Sequence, residues 1–213
     1  MSRSIRQRNL RGHGGLLRDE ILSAATRVID QAGGEGEVSL RRIAREAGIA
    51  APSVYAHFED RDEVIEAVAE ASWVQVCDEI ATRALSATVP RDRLLLGCQV
   101  YVSFAQRHPL RYALMTQTAH TPPAARQALE VVTRGLLACR ADAGQAPPAE
   151  GAESDANSAR VAAVLSVALH GVAMLHRTDT PNLWLSDFST DQVIQTLTDA
   201  AILQLGHSDP DAA

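Results

Sequence analysis

The chain contains no lysine, and all 20 of its basic side chains are arginine. The planar guanidinium suits bidentate phosphate contacts, but a complete absence of lysine from 213 residues reads as genome base composition rather than selection at particular sites. Aromatic residues are also scarce, 4% against 46% hydrophobic overall. A core must therefore be built from Ala, Leu, Val and Ile, a composition that suits packed helices. Cys77, Cys98 and Cys139 have neither CxxC spacing nor a histidine at ligand spacing. Such thiols read as reduced core residues of a cytoplasmic protein, with no metal site and no disulfide framework. The longest apolar run, residues 161–169, is far short of the roughly 20 residues of a membrane span. The basic N-terminus lacks the apolar h-region of a signal peptide. Together these absences predict a soluble protein without a membrane partner.

Catalytic signatures are missing as well. His170, His176 and Asp179 stand without a nucleophile elbow, a metal-ligand cluster or a phosphate-binding loop. The reading is a protein that is not an enzyme and needs no cofactor.

What is present is organised around residues 38–64. Leu40, Ile43, Ala44 and Ala47 fall at i, i+3, i+4 and i+7, the apolar stripe of a short helix packed on a core. Ser39 is placed as its N-cap and Gly48 as its C-cap. Ile49 is expected to be buried. Pro52 opens a second helix, with Ala51 as cap and Pro52 at the first helical position. Val54 and Phe58 point inward, which leaves Ser53, Tyr55, Ala56 and His57 outside. Asp60 and Glu63 form a capping box for a third helix with Arg61 in its first turn. Two short helices joined by a glycine turn make a helix-turn-helix pattern.

Charge places an anion opposite this pattern. Arg41 and Arg42 lie in the first turn after Ser39, where cations oppose the helix dipole. A phosphate at that helix end resolves the conflict, because free N–H groups, a hydroxyl and two guanidiniums all meet one anion. The net charge of −6 is unevenly distributed: Arg3, Arg6, Arg8, Arg11 and Arg18 precede any acidic residue. The acidic loop Glu35-Gly36-Glu37 is expected to face away from DNA.

Val38-Ser39, Ile43-Ala44, Ala47-Gly48-Ile49, Val54-Tyr55, His57-Phe58 and Arg61-Asp62-Glu63 closely resemble the N-terminal domain of the TetR family of bacterial transcriptional regulators, with Ile21, Ala25 and Gly33 extending the match upstream. The resemblance implies an all-helical homodimeric repressor whose larger domain binds a small molecule and releases double-stranded operator DNA. Ser39, Arg41, Arg42, Tyr55, His57 and Arg61 match family positions at or beside phosphate. Base readout falls to Ala51, Ser53 and Ala56, whose small side chains meet a thymine methyl or a single base edge. Two departures stand out: Ala50 replaces a frequent Ser or Thr, and Arg61 replaces the usual Lys.

The expected organisation is all-α. Residues 1–15 form a flexible basic arm and residues 16–62 a three-helix DNA-binding domain. Residues 63–206 form a larger helical domain for ligand binding and dimerisation, with a mobile loop at 144–156 among prolines, glycines and small polar residues, and residues 207–213 are a tail. Helices are expected from about 17 to 32, from 60 to 84, and from 91 to 107. Four more are expected over 110–118, 123–141, 158–177 and 190–205. The helix from 158 is apolar around nearly its whole circumference. One side faces its own domain and the other needs a partner. Paired with the last helix, around Leu165 and Leu197, it predicts a four-helix bundle between two subunits.

For the ligand, Trp73, Tyr101, Phe104, Tyr112, Met115, His170 and Met174 are the candidates, with His108 and Trp184 in the same domain. Helical spacing makes most such residues core, but together they predict an apolar cavity with few polar groups. His108-Pro109 with Tyr112 and Met115, and His170-Gly171, also resemble a C-terminal domain found in part of the family. The alternative is a DNA-binding or architectural protein with no ligand, distinguished by a solidly packed C-terminal domain.

Overall fold

A computed structural model of the chain describes residues 14–117, 120–144, 152–175 and 188–206, and the elements described there are all helical. In order they are α1 (Gly14–Gln31), a 3-10 turn (Glu35–Glu37), α2 (Leu40–Ala47), α3 (Ala51–Val54) and α4 (Arg61–Ala84). There follow α5 (Pro90–Arg107), α6 (Pro109–Thr116), α7 (Pro123–Asp142), α8 (Ala152–Leu175) and α9 (Thr190–Gly206). The chain forms two units, Met1–Val68 and Ala69–Ala213.

The first unit is built from α1, α2, α3 and the start of α4. Ile21, Ala25, Val28 and Ile29 of α1, Ile43 of α2, and Val54, Phe58, Val64 and Val68 are buried almost completely. Each large aliphatic side chain removed from water contributes roughly 1.5–3 kcal/mol before entropy is charged against it. Because Val64 and Val68 are buried with this unit, the division falls inside α4, beyond the domain limit expected at its first residues. The Arg18 guanidinium lies over the Phe58 ring, 4.7 Å from its centroid.

Several local expectations change. α1 starts at Gly14, inside the stretch expected as a flexible arm. Two glycines cost about 1 kcal/mol each in a helix, yet a helix already nucleated by a packed face extends cheaply. Residues 1–13 of that arm, and the tail, lie outside the described residues. Ala50, not Ala51, is the cap of α3: it is extended (φ −73°, ψ 141°), and its carbonyl accepts from the Ser53 amide at 2.9 Å. That moves Pro52 to the second helical position. Ile49 is half-buried rather than buried. α8 begins at Ala152, so the expected loop at 144–156 is shorter than its composition suggested. Residues 145–151 lie outside the described residues.

The second unit holds two apolar clusters. Leu94 and Cys98 of α5, Leu136 of α7, Leu165 and Leu169 of α8, and Ile194 of α9 form one. Val76 of α4, Phe104 of α5, Tyr112 and Met115 of α6 and Ala173 of α8 form the other. A bidentate ion pair joins α5 to α9: Arg91 Nε and Nη2 reach the two Asp199 oxygens at 2.7 and 2.8 Å. Residues Asn157–Leu175 of α8, with a mean hydropathy of 1.6, are long and apolar enough to cross a membrane by length and composition. That exceeds the short apolar run read from the sequence. A core helix has the same composition, and Val161, Ala162, Leu165, Leu169, Val172 and Ala173 are buried within this unit.

Candidate nucleic-acid interface and apolar cavity

Ser39 is extended, and its hydroxyl accepts from the Arg42 amide at 3.3 Å, capping α2. At the other end Gly48 takes the left-handed conformation (φ 67°), a position that a side chain would strain. α3 follows, with Tyr55 60% exposed just after it and Ser53 and His57 half-buried. Ala56 is exposed and Ala51 half-buried. At the start of α4, Asp60 Oδ1 accepts from the Glu63 amide at 2.9 Å. Glu63 reaches back to the Glu59 amide at 2.6 Å, one residue earlier than a standard capping box.

The three arginines are not equivalent. Arg41 is exposed and has no ion-pair partner among the described residues. Arg42 Nη1 donates to Glu37 Oε2 at 2.9 Å, and Arg61 Nη2 donates to Glu35 Oε1 at 2.7 Å and to the Glu35 carbonyl at 3.2 Å. The acidic turn therefore lies against two of the arginines. Spacing along the chain gave no warning, because Arg61 and Glu35 are 26 residues apart.

In the second unit, α4, α5, α7 and α8 line a partly open cavity of about 460 Å³, within the usual range for a small-molecule site. Trp73 and Tyr101, stacked at 6.2 Å between ring centroids, belong to its wall. Phe104, Tyr112, Met115, His170 and Met174 do not line it. Phe104, Tyr112 and Met115 are almost wholly buried in the neighbouring cluster, against which Met174 packs. His108 rests against Phe104, and His176, Asp179 and Trp184 lie outside the described residues. Among the other lining residues, missed by reasoning on large side chains, are Ala125, Ala128, Val132, Gly135, Ala163 and Ser166. Their smallness was the available signal, since space opens where facing helices carry little side chain.

Several polar atoms on this wall are already engaged. Trp73 Nε1 donates to the Met115 carbonyl (3.1 Å), Ser166 Oγ to the Ala162 carbonyl (2.8 Å) and Arg93 Nε to the Ala87 carbonyl (2.8 Å). The Tyr101 and Tyr112 hydroxyls are 2.9 Å apart. Burial pushes the Cys98 thiol up to about 11, against a Thr198 hydrogen bond acting the other way, so it stays neutral. No group of three or more metal-ligating side chains occurs among the described residues.

Comparison with known proteins agrees with this geometry. Residues 21–68 match the family described as bacterial regulatory proteins, tetR family, and residues 94–201 match the tetracyclin repressor-like C-terminal domain. Among curated proteins nothing matches. A protein of unknown function from Rhodococcus sp. RHA1 is 26% identical, covering 93% of this chain and 100% of that one, with a TM-score of 0.70. A transcriptional regulator from Rhodococcus sp. Rha1 shares the fold at 16% identity, over 90% and 99% of the two chains (TM-score 0.65). The resorcinol complex of RolR does so at 16% identity, over 93% and 97% (TM-score 0.61). Both domains are matched in chain order, together covering most of the sequence, and the chain belongs to the TetR family of bacterial transcriptional regulators.

Proposed function

We propose that this regulator is a cytoplasmic repressor, without catalytic activity, that binds a two-fold symmetric operator as a homodimer and is released by a mostly apolar small molecule. The observation that carries the reading is a single helix. α4 begins with Arg61, beside the helix-turn-helix, and farther along supplies Trp73, Val76 and Ile80 to the cavity wall. A ligand that prefers one arrangement of α4 changes DNA affinity by its preference between the two forms, typically 1–3 kcal/mol or about 5–150-fold. The cavity favours this over a ligand-free DNA-binding protein, for which solid packing is expected.

On the DNA side, Ser39, Arg41, Arg42, Tyr55, His57 and Arg61 are assigned to phosphate, and Ala51, Ser53 and Ala56 to base edges. On the effector side, the cavity shifts the assignment from Phe104, Tyr112, Met115, His170 and Met174 to Trp73, Tyr101 and the small residues around them. Apart from the exposed Arg93 the lining carries no charged side chain, so most of a ligand inside must be apolar. RolR binds resorcinol; here a molecule with fewer polar groups fits the wall better.

The dimer is assigned to the outward stripe of α8 and α9. Val164 is 57% exposed and Leu203 is 65% exposed. Gly171 falls on the same stripe of α8, with nothing within 4 Å of where a Cβ would be. Of the two residues expected at the interface, Leu165 is turned inward at 2% exposed, and Leu197 is half-buried at the edge of the same cluster.

Selection of bound duplexes from a random library tests the reading. Two-fold symmetric sequences with half-site centres about 34 Å, or a small multiple, apart are expected. A pool that stays random at every salt concentration contradicts it.

A further inference from the structure

The turn Glu35–Glu37 brings two carboxylates to two of the three arginines assigned to phosphate, Arg42 and Arg61. Both pairs sit at the surface: side-chain exposures are 34% for Arg61 with 55% for Glu35, and 26% for Arg42 with 55% for Glu37. Each carboxylate occupies an edge of a guanidinium at 2.7–2.9 Å, the geometry a phosphate oxygen adopts in a charge-assisted bond. Arg61 is also held imperfectly, since its Nε is buried with no hydrogen-bond partner among the described residues. An unsatisfied donor of this kind makes the present arrangement easy to give up.

We propose that this acidic turn is a built-in stand-in for DNA phosphate. In the free protein Glu35 and Glu37 occupy Arg61 and Arg42, and binding exchanges these carboxylates for backbone phosphates. The inference rests on the DNA-binding reading above and adds a regulatory role for residues outside the helix-turn-helix. Solvent-exposed ion pairs are weak enough to exchange. After exchange the displaced carboxylates still face the phosphates, and like charge at close range opposes binding. The turn thereby lowers sequence-independent affinity, the part of binding that phosphate contacts supply. Occupancy then depends more on base contacts, and release needs a smaller push.

The opposite role is physically distinct. If the carboxylates only orient the arginines for DNA, removing them loosens the guanidiniums and weakens binding. Charge-neutral, near-isosteric replacements separate the two. The full-length protein, Glu35→Gln, Glu37→Gln and the double variant would be compared by anisotropy on one mixed-sequence duplex across a salt series. Glu130→Gln, on the exposed face of α7, controls for net charge alone. The expected result is binding about three- to tenfold tighter for each single variant, a further gain for the double, and a salt slope steeper by up to about one unit per carboxylate removed. Glu130→Gln, which makes the same change in net charge in the second unit, is expected to stay within about twofold of wild type. Binding unchanged or weakened in both single variants, or an equal gain from Glu130→Gln, overturns the inference. Failure of the wild-type protein to bind DNA even at low salt overturns the underlying reading instead.

Discussion

The Tyr112 hydroxyl lies 2.7 Å from His170 Nδ1, joining α6 to α8 through a hydrogen bond between stacked rings 5.6 Å apart. Tyr101 extends the chain, its hydroxyl 2.9 Å from that of Tyr112. Two residues that look in sequence like ligand contacts are thus partners in a packed polar network beside the cavity. Tyr112→Phe removes its hydroxyl and keeps its shape. Loss of about 1 kcal/mol of stability is expected, a fall of roughly 2–4 °C in Tm by calorimetry, with DNA affinity unchanged.

Filling the cavity separates sensing from DNA binding. Ala128 is half-buried on α7 and lines the space. Ala128→Phe is expected to abolish thermal stabilisation by apolar compounds that stabilise the wild-type protein, while operator affinity stays within about threefold. Unchanged stabilisation by such compounds places their site elsewhere.

Charging the outward stripe tests the dimer. Val164→Glu combined with Leu203→Glu puts carboxylates on side chains that are 57% and 65% exposed. A folded monomer with native helical content is expected in sedimentation, with operator binding weakened at least a hundredfold, since an unpaired charge is costly in an apolar interface. Persistence of the dimer would move the interface off α8 and α9.

Cys98 supplies a pH dependence. Burial raises its thiol to about 11, from 9.0 when exposed. A raised folded-state value stabilises the protein fully below pH 9, and that contribution is lost as the pH rises through 11. Denaturant titrations are expected to show stability falling over this window, less steeply in Cys98→Ala. Burial also raises Cys77, Cys139 and Tyr101, the last with its Tyr112 hydrogen bond acting the other way, so these groups leave a residual slope in that variant.

The local signals of the first unit were legible because each has a short-range cause. Ser39 caps, Gly48 requires the left-handed region, and Asp60 pairs with the Glu63 amide, all within a few residues. What escaped depends on contacts made across the fold. The Arg61–Glu35 pair joins residues distant in sequence. The cavity is made by small side chains on α7 and α8, such as Ala128, Gly135 and Ala163, whereas sequence reasoning followed large ones. Leu165 and Val164 are adjacent in an apolar helix, and only packing decides that the first faces inward and the second outward.

The central claim is that α2 and the start of α4 meet DNA phosphates, and the salt dependence of binding tests it most directly. Wild type, Arg41→Ala and Arg61→Ala would be titrated on a labelled duplex between about 50 and 200 mM salt. The account predicts a steep log–log slope for wild type, reduced by about one unit in Arg41→Ala and by less in Arg61→Ala, where Glu35 already offsets the charge. Slopes identical in all three proteins would contradict it.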